Sequence, residues 1–368
     1  MIAKSHAFLT LAVLALLGST STLGAQDDRI RPGKWTSKSQ WPEGWIVYES
    51  PHYQIQSQVG KDKAKRLANH MEAMFRLYKK VFPPGKDGFI KKPVKLFKDQ
   101  ASFQAYSGVG GGTLAYYMSA PNRELVGYDT GVWQDEKKPE GPTTGKLTRK
   151  EIMDRLLKRE PMDFLGVMSH EGWHQYFHWY VVSMLQLPSW INEGMGDYFY
   201  CAVPPYGAKG RDAKVKLGRL NDARLPTIRV AVKQNRHVPW KKIIRYAQSD
   251  YYAQPGLCYA QGWAMCHFLM EHKDRKYNSI IPTFIRLVKD DGNIEACTDQ
   301  AFRGIDIDAL EEEWKAWVLQ TKLPADEKLE QMLDDLDKEE TEGQPAGGGG
   351  SDAPSGDGGG IFPVDPNE

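Results

Sequence analysis

Two histidines four residues apart, with a glutamate directly after the first, stand in the stretch SHEGWHQYFHWY, residues 169–180. On a helix His170 and His174 project from one face and can grip one ion, because four residues is close to one turn. Glu171 is turned about 100° from His170, where a carboxylate reaches a metal-bound water instead of the metal. His178 continues the row. After eight residues, however, it drifts about 80° off the shared face, and it is read as a packing residue.

A zinc ion needs a third protein ligand, and the position of that ligand separates classes. One class needs a glycine and a histidine within six residues of His174, whereas Gln175 to Tyr180 hold no glycine and place His178 wrongly. Instead, 18 residues pass before Glu193, in LPSWINEGMGDYFY, where a second amphipathic helix is expected after Pro188. Asp197 follows four residues on, on the same helical face as Glu193, where it could accept the free N–H of a ligand imidazole.

H-E-x-x-H, then 18 residues, then W-I-N-E-G with an aspartate four residues after the glutamate, resembles the gluzincin metallopeptidases, and most of all the peptidase-MA-like family. The resemblance covers about residues 45 to 320 and is strongest over 166 to 200. It implies that His170, His174 and Glu193 bind Zn2+, that Glu171 is the general base, and that the substrate is a peptide or protein. It also implies an α+β, zincin-like fold: an N-terminal mixed β-sheet lobe with helices, an active-site helix, and a C-terminal helical lobe. YAQGWAMCHFL, residues 259–269, resembles the Y-x-x-G helix start of gluzincin aminopeptidases, which makes Tyr259 the candidate donor to the oxyanion, with Tyr251 and Tyr252 as alternates. The segment TLAYYMSAPNRELVGY resembles the edge strand lining the gluzincin cleft, where an extended peptide could add as a strand. It lacks a glutamate placed to hold a free amino terminus.

In such a site three protein ligands leave zinc a fourth position for water, whose pKa falls to about 7. Glu171 is then placed to take its proton and to return it to the leaving amine.

The elements that must carry these residues can be read from periodicity. HYQIQSQV (52–59) alternates like a strand, and residues 61–82 place Ala64, Leu67, Ala68, Met71, Met74, Phe75, Leu77 and Tyr78 at helical spacing before Pro83-Pro84-Gly85. PVKLF (93–97) reads as a strand, and TLAYYMS with RELVGYD, flanking Ala120-Pro121-Asn122, as a β-hairpin. Gly110-Gly111-Gly112 lacks the Lys-Ser/Thr and helix of a phosphate loop. Helices are expected near 161–185, 190–202, 256–272, 276–289 and 307–320. Strands gathered before helices give an α+β organisation, divided as a sheet lobe over 26–160 and a helical, zinc-binding lobe over 161–324.

Composition limits the function classes. The 368 residues are 41% hydrophobic, 11% aromatic and 26% charged, the make-up of a globular protein, and a net charge of +1 offers no basic field for nucleic acid. Residues 1–25, with Lys4 ahead of an apolar run from Phe8 to Leu17 and a small-residue stretch after it, read as a secretory signal peptide. The run is shorter than the roughly 20 residues that span a bilayer. The chain is therefore expected to be exported, periplasmic or extracellular, with no membrane span after cleavage. Export makes Cys201, Cys258, Cys266 and Cys297 candidates for disulfides. Cys258 and Cys266, eight residues apart on one helix, lie about 12 Å apart, too far to bridge. Residues 325–368 hold 13 acids against 2 bases and a Gly-, Ser- and Pro-rich tract, and are expected to be a disordered tail.

A second function competes with peptide hydrolysis: a noncatalytic secreted binding module in which zinc is a structural clamp. Glu171 speaks against it, because a structural site has no need of a general base.

Overall fold

The computed structural model describes residues 33–36, 41–85, 90–133, 162–182, 185–202, 216–323 and 326. The expected leader (1–25), most of the polar segment 133–160 and the acidic tail (325–368, save Asp326) lie outside the described residues. Contacts divide the described residues into two compact units, one drawn from those within 33–133, 163–185 and 202–217, the other from Met162 and those within 186–201 and 218–326.

The first unit holds a six-stranded mixed sheet. Its strands are β1 (Lys34–Trp35), β2 (Ile46–Glu49), β3 (Tyr53–Ser57), β4 (Lys92–Phe97), β5 (Ala115–Met118) and β6 (Glu124–Tyr128), in the order β1-β2-β3-β4-β6-β5. β4 runs parallel to β3 and β6, with Ile55 opposite Val94 and Leu96 opposite Gly127, and the remaining pairs are antiparallel. The expected hairpin forms as β5 and β6, with Tyr117 opposite Leu125, and it leaves β5 on the sheet edge. Helix α1 (Lys61–Val81) turns its apolar stripe, including Ala64, Leu67, Met71 and Phe75, into the core. A short helix, α2 (Gln100–Ser107), is capped by Asp99, whose side chain accepts from the Ser102 N–H, and ends on Gly108 at φ 69°.

Helix α3 (Phe164–Tyr176) carries the H-E-x-x-H motif and packs against α1, β5 and β6. Asp163 caps it, accepting from the Gly166 N–H at 2.7 Å. Nearly every α3 residue is buried, the polar Ser169, His170, His174 and Gln175 included. The helix was expected to run over 161–185. It instead begins at Phe164 and loosens after Tyr176 into a π turn, Phe177–Val181. Because the π turn changes the rotation per residue, the α-helical drift expected for His178 does not apply.

The second unit is helical: α4 (Ser189–Tyr200), α5 (Arg224–Lys233), α6 (Trp240–Ile243), α7 (Gln248–Tyr252), α8 (Pro255–Glu271), α9 (Arg275–Asn278), α10 (Ile280–Asp290), α11 (Ile294–Ala301) and α12 (Ile307–Gln320). The helix expected over 276–289 is divided at Ser279, and Pro282 sits in the first turn of α10, where a missing N–H costs nothing. α4 and α8 pack through two glycines. A Cβ on Gly194 would collide with the Gly262 carbonyl and stand 2.7 Å from Cys266 Sγ. The close approach therefore needs glycine there.

All four cysteines are free and buried, so the disulfides suggested by export do not form. Cys258 and Cys266 share α8, which holds them apart. Among the described residues no helix is long and apolar enough to cross a membrane.

Candidate metal centre

Among the described residues, one group of three or more histidine, cysteine or carboxylate side chains is placed to share a metal ion: His170, His174 and Glu193. Their ligand atoms all lie within 4.8 Å of one another, and all three residues are buried. The two imidazoles sit one turn apart on α3 with ring centres 4.9 Å apart. Two imidazoles and one carboxylate are a donor set that suits zinc and other borderline divalent ions. The cluster could hold a metal ion.

α3 is fixed by buried polar contacts just before His170. Ser169 Oγ lies 2.9 Å from His70 Nε2, and the Ser169 carbonyl accepts from the Tyr78 hydroxyl, both partners belonging to α1. A Cβ on Gly172 would stand 3.0 Å from Met71 Cε and 3.1 Å from the Tyr78 hydroxyl, so glycine lets α1 and α3 close up between the two histidines.

Glu171 turns to the sheet edge. Its Oε2 accepts from the Tyr117 backbone N–H of β5 at 2.8 Å. No sequence pattern announces this bond, because the donor is main chain and 54 residues away.

Glu193 is set by polar groups of its own unit. Its Oε1 accepts from the Tyr252 hydroxyl at 2.7 Å and from Asn192 Nδ2 at 2.9 Å. Tyr259 shares side-chain hydrogen bonds with Glu193 and Tyr252. Burial, and then the Glu193 carboxylate, push the Tyr252 and Tyr259 phenols well above the usual tyrosine value, so both stay neutral donors. Tyr251 is fully buried and donates to the Cys258 carbonyl at 2.7 Å. Its one hydroxyl proton is therefore spent inside the helical unit.

Asp197 is buried, and its Oδ2 accepts from Arg224 Nε at 2.7 Å. The Arg224 guanidinium also lies 5.1 Å from the Tyr259 ring centre. Neither Arg224 nor the Tyr252 bond was foreseen from spacing, since each joins helices far apart in the chain. His178 is outside the ligand cluster. Its ring centre is 5.4 Å from that of Tyr117, and burial, reinforced by His174, lowers its pKa to about 4.

Comparison with known proteins adds one finding about this region. Residues 165–286 match a family model described as a protein of unknown function, DUF1570. The matched span contains His170, Glu171, His174, Glu193, Asp197, Arg224, Tyr252 and Tyr259. No curated protein matches the chain.

Proposed function

We propose that this chain is an exported zinc metallopeptidase of the gluzincin type, with a zincin-like fold, that hydrolyses peptide bonds. One observation carries the reading: the ligand atoms of His170, His174 and Glu193 gather within 4.8 Å, while Glu171, between the two histidines, stays out of the cluster. His170, His174 and Glu193 would hold the ion. When bound, zinc supplies Lewis acidity to a substrate carbonyl and makes water more acidic. Glu171 accepts the proton from the attacking water and returns it to the departing amine nitrogen. The Tyr117 N–H fixes the orientation of that carboxylate. Tyr259, kept neutral by burial, becomes the donor to the developing oxyanion when its hydroxyl turns from Glu193 and Tyr252, and Asp197 is a buried acceptor suited to orient a ligand imidazole. Export rests on the leader at residues 1–25. The test is hydrolysis of unfolded casein by zinc-loaded protein with and without a chelator. Cleavage that the chelator abolishes supports the reading, and zinc-loaded protein that never cleaves supports the structural-clamp alternative.

A further inference from the structure

Arg224, the first residue of α5, is held from three sides. Its backbone N–H donates to Oδ1 of buried Asn221 at 3.0 Å, its Nε donates to Asp197 at 2.7 Å, and its guanidinium lies against the Tyr259 ring. These contacts use Nε and one π face. Among the described residues the two terminal nitrogens donate to no protein group, and 26% of the side chain is exposed. A structural arginine usually gives its whole fork to one carboxylate, because two parallel bonds are stronger than one. Here the Nε bond to Asp197 and the Tyr259 ring fix the orientation of the fork, and about a quarter of the side chain reaches solvent.

Its neighbours tie it to the metal cluster. Tyr259 is hydrogen-bonded to Glu193, and Tyr252, 37% exposed, places its hydroxyl on the same carboxylate. Tyr252, Glu193, Tyr259 and Arg224 thus make one chain of contacts. The path from Arg224 through Tyr259 to Glu193 sets an upper limit on the order of 10 Å, about three residues of extended peptide.

We propose that Arg224 binds a carboxylate of the peptide substrate, within about three residues of the scissile bond, and so sets substrate class. This rests on the peptidase reading. The carboxylate is either the substrate's own C-terminus or an aspartate or glutamate side chain. A planar fork already ordered by Asp197 and Tyr259 loses little entropy on binding it.

The experiment uses the zinc-loaded Glu171→Gln chain, which lacks the base and so holds peptide uncut, and three fluorescein-labelled hexapeptides of one alanine–phenylalanine sequence. The first ends in a free carboxylate, the second in an amide, and the third in an amide with one glutamate near the C-terminus. Fluorescence anisotropy should show a carboxylate-bearing peptide binding about 10- to 100-fold more tightly than the neutral amide, as expected for a charge-assisted pair. Adding Arg224→Gln should remove that difference. A preference for the first peptide identifies the C-terminus, and a preference for the third an acidic side chain. Equal binding of all three overturns the proposal, as does a preference that survives both Arg224→Gln and Arg224→Lys. The comparison among peptides needs no Arg224 variant, so loss of zinc from one would not obscure it. Equal binding with intact casein hydrolysis by wild type sinks the Arg224 assignment alone, and absence of both binding and hydrolysis sinks the peptidase reading with it.

Discussion

The backbone N–H of Tyr117 on edge strand β5 donates to Oε2 of Glu171 on α3 at 2.8 Å. One main-chain donor thereby orients the carboxylate read as the base, and the bond can be removed without touching Glu171. Proline at 117 deletes the N–H on an edge strand, where proline is tolerated. Tyr117→Pro should keep bound zinc and lower kcat about 10-fold or more through a misplaced base. Tyr117→Ala, which keeps the N–H and loses the ring, should lose less. Equal losses in the two variants would assign the effect to the ring.

The ligand assignment predicts a stoichiometry. Protein purified without chelators should contain about one zinc per chain, and His174→Ala should lose most of it. His178, outside the cluster and packed near Tyr117, should be replaceable by alanine with zinc retained. Metal analysis showing equal loss in both variants would mean that the ligands are chosen wrongly.

Gly194 follows the proposed ligand Glu193 and faces Gly262 across the α4–α8 contact. A methyl group there has no room, so Gly194→Ala should destabilise the chain by about 1–3 kcal/mol, the usual cost of overpacking. It should also weaken zinc binding by moving Glu193. An unchanged Tm would show that the two helices part easily.

Stability should depend on His70. It is fully buried against Ser169, and burial holds its pKa down to about 3, below the unfolded value of about 6.5. Between those values the unfolded chain binds the extra proton, so this contribution is intact above about pH 6.5 and is lost as pH falls toward 3. By urea unfolding, wild type should lose about 2 kcal/mol more than His70→Asn between pH 7 and pH 5. Parallel losses would show that His70 titrates normally.

Local pattern made part of this molecule legible. The stripe on residues 61–82 and the hairpin around Ala120-Pro121-Asn122 follow from side-chain periodicity, the pairing of His170 with His174 follows from their spacing, and Glu193 joined them through the gluzincin resemblance. The π turn after Tyr176 was not legible, because FHWYV carries no glycine or proline to mark a change of helix. Helix α5 was also missed: its stripe of Leu225, Ile228, Ala231 and Val232 is short, and Pro226 in the first turn reads as a loop. The contacts that finish the site could not be read at all. Tyr252 on Glu193 and Arg224 on Asp197 are tertiary bonds spanning 59 and 27 residues, and nothing in either short segment encodes its partner.

The central claim is that Glu171 works as a base beside a metal it does not bind. Glu171→Gln keeps the side chain's shape and removes its proton acceptor, so zinc content and casein turnover measured on one preparation test the claim most directly. The account predicts zinc equal to wild type with turnover lower by about 10²-fold or more. Undiminished turnover with zinc in place would contradict it.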